Sequence, residues 1–169
     1  NGSLATTHKS QGSDMGLFGG FLGWEAHDER LPQSDKHIVT AGINVTINIV
    51  DIGNGHPNLY KLTLHNNKET RKLTAISTGG GMIEVIAIDD IPVSMAGAYF
   101  ETLIYCNKPE GILQFLNATI KADDIEFHKG QISFIEIKSQ SFLDAAIYKE
   151  LQQMEGVLCI KQLQPVLPV

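Results

Sequence analysis

The sequence predicts an α+β protein made of two small domains, and three observations support this prediction. The chain has 169 residues, enough for two small domains as well as for one of ordinary size. Hydrophobic residues make up 43% of the chain and charged residues 19%, so a buried core can form. Segments with helical spacing of apolar residues are interspersed with segments that have the two-residue period of strands. Small residues around Gly97 mark a linker, so the predicted domains cover residues 1–96 and 97–169.

The first domain is predicted to contain two short helices followed by a sheet. Asp14 precedes an apolar run, and we expect it to cap a helix over residues 15–22. A second helix is expected to begin at Ser34 as its cap and to end before Gly42. Apolar residues then alternate with Asn and Thr over residues 43–49, which predicts a half-buried strand. Further strands are expected over residues 59–64, 71–76 and 82–88.

The second domain is predicted to follow the order βαββαβ. This order is typical of a ferredoxin-like sandwich, in which both helices pack on one face of an antiparallel sheet. The expected strands cover residues 99–105, 125–128, 131–138 and 157–166, and the expected amphipathic helices cover residues 112–120 and 142–154.

Charge and hydropathy exclude two classes of partner. The net charge is -6, and the 13 Lys and Arg residues are scattered, so we expect no nucleic-acid binding. No window reaches the roughly 20 consecutive apolar residues that span a bilayer. Without a signal peptide the expected compartment is the cytoplasm. The chain begins with Asn1, so we expect a fragment or a processed product.

The cysteines predict that this chain holds no metal cluster. Only Cys106 and Cys159 are present, and neither belongs to a CxxC motif. An iron–sulfur cluster needs more thiolates than two distant ones, so we expect both to be small buried residues.

Three loops of the first domain carry the groups that suit ligand binding. Residues 7–14 precede a helix, whose free N–H groups favour a carboxylate or phosphate, although a simple capped turn is the alternative. Residues 53–58 contain His56 and Asn58, whose side chains could face outward as hydrogen-bond donors for a ligand. The alternative is that this segment is an ordinary turn. The glycines after Ser77 let backbone amides approach a ligand, or else form a tight bend. No nucleophile and base occur in a catalytic pattern, so no catalytic residue is assigned.

These loops, taken in order, resemble one enzyme family. Gly2-Ser3-Leu4-Ala5 and Gly12-Ser13-Asp14 resemble the opening GSFA…GHGTD of the beta domain of bacterial iron–sulfur-dependent L-serine dehydratases. Asp28–Pro32 is similar to its DERIP, residues 56–58 to its HPN and residues 77–81 to its SIGGG. The resemblance covers residues 2 to about 95 and implies the fold of that beta domain, which is related to the allosteric substrate-binding domain of some phosphoglycerate dehydrogenases.

Residues 99–169 resemble an ACT domain, a module that commonly pairs with itself and senses amino acids. Asn107–Gly111 is similar to the DxPG turn of that module, with Asn in place of Asp and one residue inserted. The candidate binding residues are therefore Ser3, Ser10, Gln11, Gly12, Ser13, Asp14, His56, Asn58, Ser77, Gly79, Gly80 and Gly81 for a substrate or anion, and Asn107 and Gly111 for an effector.

The resemblance implies a beta subunit of an enzyme that converts L-serine to pyruvate and ammonia. A 4Fe-4S cluster would be carried by a separate alpha subunit, none would be held by this chain, and the chain alone would be inactive. L-serine or a similar small carboxylate would be its ligand, and the ACT domain would form a homodimer. The alternatives are a free-standing amino-acid sensor and the regulatory region of a phosphoglycerate dehydrogenase.

One departure from the family lies in the first loop. Gln11 stands where the family has His, and an amide side chain does not titrate. His8, three residues earlier, could occupy that place only if the loop were rearranged. Either another base serves this chain or the proton-transfer role is lost.

Overall fold

A computed structural model describes His8, Ser10 and residues 12–50 and 55–166 of the chain. It divides into two compact units, Asn1–Asn58 and Leu59–Val169. The predicted boundary between residues 96 and 97 falls inside the second unit, between its two sheets, and the two-domain division stays a prediction. Within the described ranges, every helix is too short or too polar to cross a membrane.

The first unit contains two short helices joined by a 3-10 turn. Helix α1 covers Ser13–Phe21, the 3-10 turn covers Leu31–Gln33, and helix α2 covers Ser34–Thr40. Gly19 lies where an added side chain would meet Leu31, so its lack of a Cβ lets that leucine pack against α1.

Both helices were predicted, but their caps were not. Gly12, with φ of 77°, is the N-cap of α1, and Gln33 is the N-cap of α2. Neither Asp14 nor Ser34 caps its helix, because both lie inside the first turn and bond elsewhere. Gly42 follows α2 with φ of 78°, a conformation that ends a helix, as expected.

The strand expected over residues 43–49 is wrong. Residues 43–50 are all described, and none of them lies in a helix or a strand. A strand needs a hydrogen-bonded neighbour as well as alternating side chains, and the sequence pattern reports only the side chains. The alternation instead places Val45, Ile47 and Ile49 along one cavity wall.

The second unit begins with an antiparallel sheet. Its strands are β1 Leu59–His65, β2 Thr70–Gly79, β3 Met82–Ile88 and β4 Ile91–Met95. Their order across the sheet is β1-β2-β3-β4. The predictions for β1, β2 and β3 are confirmed, whereas β4 was not predicted as a strand. Asp89 and Asp90, with φ of 50° and 66°, form the turn between β3 and β4.

A second antiparallel sheet follows. The elements of this part of the chain are β5 Phe100–Cys106, α3 Pro109–Thr119, β6 Asp124–His128, β7 Phe134–Ser139, α4 Ala145–Gln153 and β8 Val157–Leu163. The strand order across the sheet is β6-β7-β5-β8. The predicted order βαββαβ is confirmed. Asp144 caps α4 by accepting a hydrogen bond of 2.8 Å from the Ala146 N–H.

Both faces of the second sheet are covered. On one face, Leu116 of α3 and Leu151 of α4 pack against Ile104 and its neighbours. On the other face, Phe134 and nearby residues pack against Ile91 and the rest of the β3–β4 hairpin. The two sheets of this unit therefore share a core.

Candidate functional site

The first unit contains an open cavity of about 1060 Å³, slightly larger than typical small-molecule sites of roughly 300–1,000 Å³. Polar residues line one part of it and apolar residues line the rest. The lining residues are His8, Ser10, Gly12, Asp14, Met15, Phe18, Pro32, Ser34, Asp35, Val45, Ile47 and Ile49. Three of the candidate binding residues are therefore brought together here: Ser10, Gly12 and Asp14.

A histidine–aspartate pair lies on the polar side of the cavity. His8 Nδ1 lies 2.9 and 2.8 Å from the two carboxylate oxygens of Asp14. The side chains of His8 and Asp14 are only 14% and 17% exposed. The Asp14 N–H also donates to the His8 carbonyl oxygen at 3.3 Å. Asp14 thus orients the imidazole ring instead of capping α1.

Helix α2 supplies two further polar residues of the lining, Ser34 and Asp35. Ser34 is 2% exposed, and its hydroxyl donates to the Met15 carbonyl oxygen at 3.2 Å, which joins α2 to α1. Asp35 follows it in an exposed position and accepts a hydrogen bond from the Lys36 N–H at 2.9 Å. Neither residue was predicted as a site residue, because the local pattern indicates only a short helix.

The charge of the cavity is unusual for an anion site. Its described lining includes the carboxylates of Asp14 and Asp35 but neither Lys nor Arg. The remaining wall is apolar, and Ile47 and Ile49 on it are 44% and 57% exposed.

His56 and Asn58 form a local turn in the first unit. His56 Nδ1 accepts a hydrogen bond of 3.2 Å from the Asn58 N–H. Both residues are described, and neither lines the cavity. Their binding role stays a prediction.

Ser77–Gly81 lies in the second unit, where it forms the β2–β3 hairpin. Gly79 pairs with Met82, so Gly80 and Gly81 make the turn. The φ angles of these three glycines are 101°, 63° and 82°, which L side chains rarely adopt. The glycines are thus required by the turn itself, and ligand binding there stays a prediction.

The remaining candidates lie elsewhere. The Asn107 N–H donates to the Gly156 carbonyl oxygen at 2.9 Å, just before α3, and Gly111 lies in the first turn of that helix. Ser13 begins α1 and does not line the cavity. Ser3 and Gln11 lie outside the described residues.

The two cysteines lie on opposite faces of the second sheet. Cys106 packs on the helix-covered face, whereas Cys159 packs toward Phe134 on the other face. Burial raises the pKa of the Cys106 thiol, with a smaller effect from the Glu110 carboxylate, so its thiolate is disfavoured. An iron–sulfur cluster needs converging thiolates, and these residues do not fit one.

One further group could hold a cation. The ligand atoms of Glu126, His128 and Glu136 lie within 4.8 Å of one another. However, Glu136 Oε2 already lies 2.7 Å from His128 Nε2, and its Oε1 lies 3.4 Å from Lys138 Nζ. Oε2 is thus hydrogen-bonded to His128, whereas Oε1 is near a cation but has no hydrogen-bond partner among the described residues. The sequence concealed this cluster because only the strand register places Glu126 opposite Glu136.

Comparison with known proteins gives one consistent result. No protein-family model matches the chain. The chain is 26% identical over 170 residues to a "Probable L-serine dehydratase, beta chain" of Bacillus subtilis (strain 168), which covers 96% of this chain and 77% of that protein. It is 29% identical over 126 residues to an "L-serine dehydratase, beta chain" of Peptoniphilus asaccharolyticus, which covers 73% of this chain and 57% of that protein. The similarity supports the family that the motifs suggest.

Proposed function

We propose that this chain is the beta subunit of an L-serine dehydratase and that it binds substrate or regulator while an alpha subunit carries the reactive centre. The observation that supports the proposal most is similarity to a serine dehydratase beta chain over 96% of the chain. The same similarity favours this function over a phosphoglycerate dehydrogenase region or a free-standing sensor.

The proposed roles of the alpha and beta subunits follow from the chemistry of the reaction and of this chain's residues. Converting L-serine to pyruvate and ammonia requires loss of the side-chain hydroxyl, a poor leaving group that a Lewis-acidic metal centre would activate. This chain's cysteines cannot hold a 4Fe-4S cluster between them because they lie on opposite sheet faces. The cluster is therefore assigned to the alpha subunit. This chain contributes the cavity around His8 and Asp14, and we propose a cytoplasmic location for the complex.

Reconstitution tests this proposal. The purified chain is expected to contain no stoichiometric iron or sulfide and to release no pyruvate from L-serine. Addition of an alpha subunit, reconstituted with its cluster under anaerobic conditions, is expected to produce pyruvate release that depends on this chain. The control is the alpha subunit alone. A brown isolated chain, or an alpha subunit whose activity is unchanged by this chain, would contradict the proposal.

Self-association through residues 97–169 is a second expected result. Strand β8 lies at the edge of its sheet, where backbone groups can pair with another strand. Leu158 and Leu163 on β8 are 58% and 43% exposed, so pairing would also bury apolar surface. Sedimentation at micromolar concentration is expected to show a dimer, and Leu158→Lys is expected to shift it toward monomer. Lys161→Ala is the matched control. A wild-type monomer of 18.5 kDa would exclude this interface.

A further inference from the structure

Two buried carboxylates of the second sheet each have one oxygen without a partner. Glu136 on β7 and Glu101 on β5 are 2% and 3% exposed. Glu136 Oε1 and Glu101 Oε2 have no hydrogen-bond partner among the described residues. A buried carboxylate oxygen without a donor is unfavourable in free energy, so this face of the sheet requires a further positive group.

The ammonium group of Lys138 does not satisfy both carboxylates. Its Nζ lies 3.4 Å from Glu136 Oε1, which remains without a hydrogen bond. Lys138 also lies directly opposite Glu101 in the ladder of β5 and β7, so one lysine faces two buried carboxylates. Strand β4, which packs on this face of the sheet, has the sequence Ile-Pro-Val-Ser-Met and brings no titratable side chain.

Glu136 lies beside two residues that could share a cation with it. Glu126 and His128 are on β6, and Glu126 is directly opposite Glu136 in the ladder. The ligand atoms of these three side chains lie within 4.8 Å of one another. An imidazole nitrogen combined with carboxylate oxygens suits Zn²⁺ and similar transition-metal ions, whereas Mg²⁺ and Ca²⁺ prefer oxygen ligands throughout.

We propose that Glu126, His128 and Glu136 form a binding site for Zn²⁺ or a divalent transition-metal ion of the same class. His128 Nε2 and one oxygen of Glu126 bind the ion, and Glu136 binds it through both carboxylate oxygens. Lys138 then pairs with Glu101, its neighbour across the ladder. Both unpartnered oxygens thereby gain a positive partner. This site is independent of the proposed function and of any iron–sulfur cluster.

The distances between the ligand atoms require only small shifts. Zinc bonds of about 2.0–2.2 Å to nitrogen and oxygen place two ligands of a tetrahedral ion about 3.3–3.6 Å apart. His128 Nε2 lies 2.7 Å from Glu136 Oε2 and 3.8 Å from Glu126 Oε2, one value below this spacing and one above it. The Glu126 side chain is 59% exposed, so it can move toward the ion without disturbing the core.

The core holds His128 in place for this role. His128 is 7% exposed, and its ring stacks on that of Phe134 with the centroids 4.8 Å apart and 26° between the planes. Phe134 is itself fully buried. His128 and Glu136 belong to paired strands, which place ligand atoms more rigidly than loops do. A bound ion is therefore expected to stabilise the folded chain by linkage.

Titration of the full chain with Zn²⁺ tests the proposal. After chelator treatment and removal of the chelator, calorimetry is expected to show one tightly bound Zn²⁺ per chain. The same ion is expected to raise the melting temperature. Co²⁺ is expected to give the visible absorption of a four-coordinate ion, and Zn²⁺ should remove it. Displacement of Zn²⁺ by an equal concentration of Mg²⁺ would overturn the proposed class of ion.

Glu126→Gln is the decisive variant, because the exposed position of Glu126 spares the fold. Loss of a residue that only supports a metal ligand lowers metal affinity roughly 10–100-fold, so loss of a ligand is expected to weaken Zn²⁺ binding at least about a hundredfold. His128→Gln is expected to do the same and to abolish the Co²⁺ absorption. The matched controls, Glu150→Gln and His65→Gln at exposed positions, are expected to retain the affinity of the wild type.

Circular dichroism of each variant shows whether it folds, and Glu126→Gln decides alone if His128→Gln does not. Absence of Zn²⁺ binding to the wild type at micromolar concentration would overturn the proposal. Equal Zn²⁺ affinity in the wild type and Glu126→Gln would also overturn it, because the ion would then be bound by other side chains of the chain. Pyruvate release by the reconstituted complex tests the proposed function separately.

Discussion

Replacing Phe134 with Ala is expected to lower the free energy of unfolding by about 3–5 kcal/mol, as truncation of a buried aromatic residue does. Phe134 is fully buried in the core that the two sheets of the second unit share. Its ring stacks on His128 at 4.8 Å and lies tilted against Tyr105 at 5.4 Å. The truncation removes these contacts and leaves a cavity between the sheets, which the paired strands cannot collapse to fill.

Urea unfolding followed by circular dichroism measures this loss. The matched control is Phe142→Ala, because Phe142 is 42% exposed and makes one edge-to-face contact with Phe100 at 4.8 Å. We expect the control to cost less than about 1.5 kcal/mol. Equal losses of unfolding free energy in the two variants would mean that Phe134 does not stabilise the core shared by the two sheets.

Replacing Glu101 with Gln is expected to stabilise the protein at pH 8 by about 2–3 kcal/mol. Glu101 is 3% exposed, and its Oε2 has no hydrogen-bond partner among the described residues. Burial and, to a lesser extent, the nearby Glu136 carboxylate raise the pKa of Glu101 from its ordinary 4.5 to about 7. Lys138 has a smaller effect in the opposite direction. An ionised carboxylate is thus poorly tolerated there, and a neutral amide of similar shape avoids the cost.

The sign of the pH dependence follows from the raised pKa. The folded state holds the Glu101 proton more tightly than the unfolded state does, so stability from this group is greatest below pH 4.5 and is lost as the pH rises through about 7. The advantage of Glu101→Gln over the wild type should therefore be small at pH 4 and should grow to its full value above pH 7.

Unfolding free energies of both proteins between pH 4 and pH 8 test this result. The difference between them isolates Glu101 from groups that act in the opposite direction, such as Asp28, whose pKa is lowered to about 2 by its hydrogen bonds with Arg30. Glu150→Gln, at an exposed position of α4, is the control variant. A difference between Glu101→Gln and the wild type that stays constant from pH 4 to pH 8 would show that the Glu101 carboxylate is solvated.

The local sequence pattern was sufficient to predict most of the helices and strands. The bounds of β3 were predicted at both ends, because Gly81 and Asp89 stop the strand through their own backbone preferences. The order βαββαβ was also predicted, since the amphipathic period of α3 and α4 depends only on neighbouring residues. The sequence motifs suggested the family that similarity to two serine dehydratase beta chains supports.

The tertiary structure determined the features that depend on contacts between residues far apart in the sequence. The alternation over residues 43–49 predicted a strand, but no ladder involves these described residues, and their apolar side chains line a cavity instead. Asp14 was expected to cap a helix, yet its carboxylate orients His8, six residues away in a loop. In the sequence, Glu101 and Glu136 are simply charged residues within two predicted strands. The pairing of β5 with β7 buries both side chains on one face of the sheet. Periodicity encodes which way a side chain points from its own backbone, whereas pairing, burial and charge balance are set by residues that only the folded chain brings near.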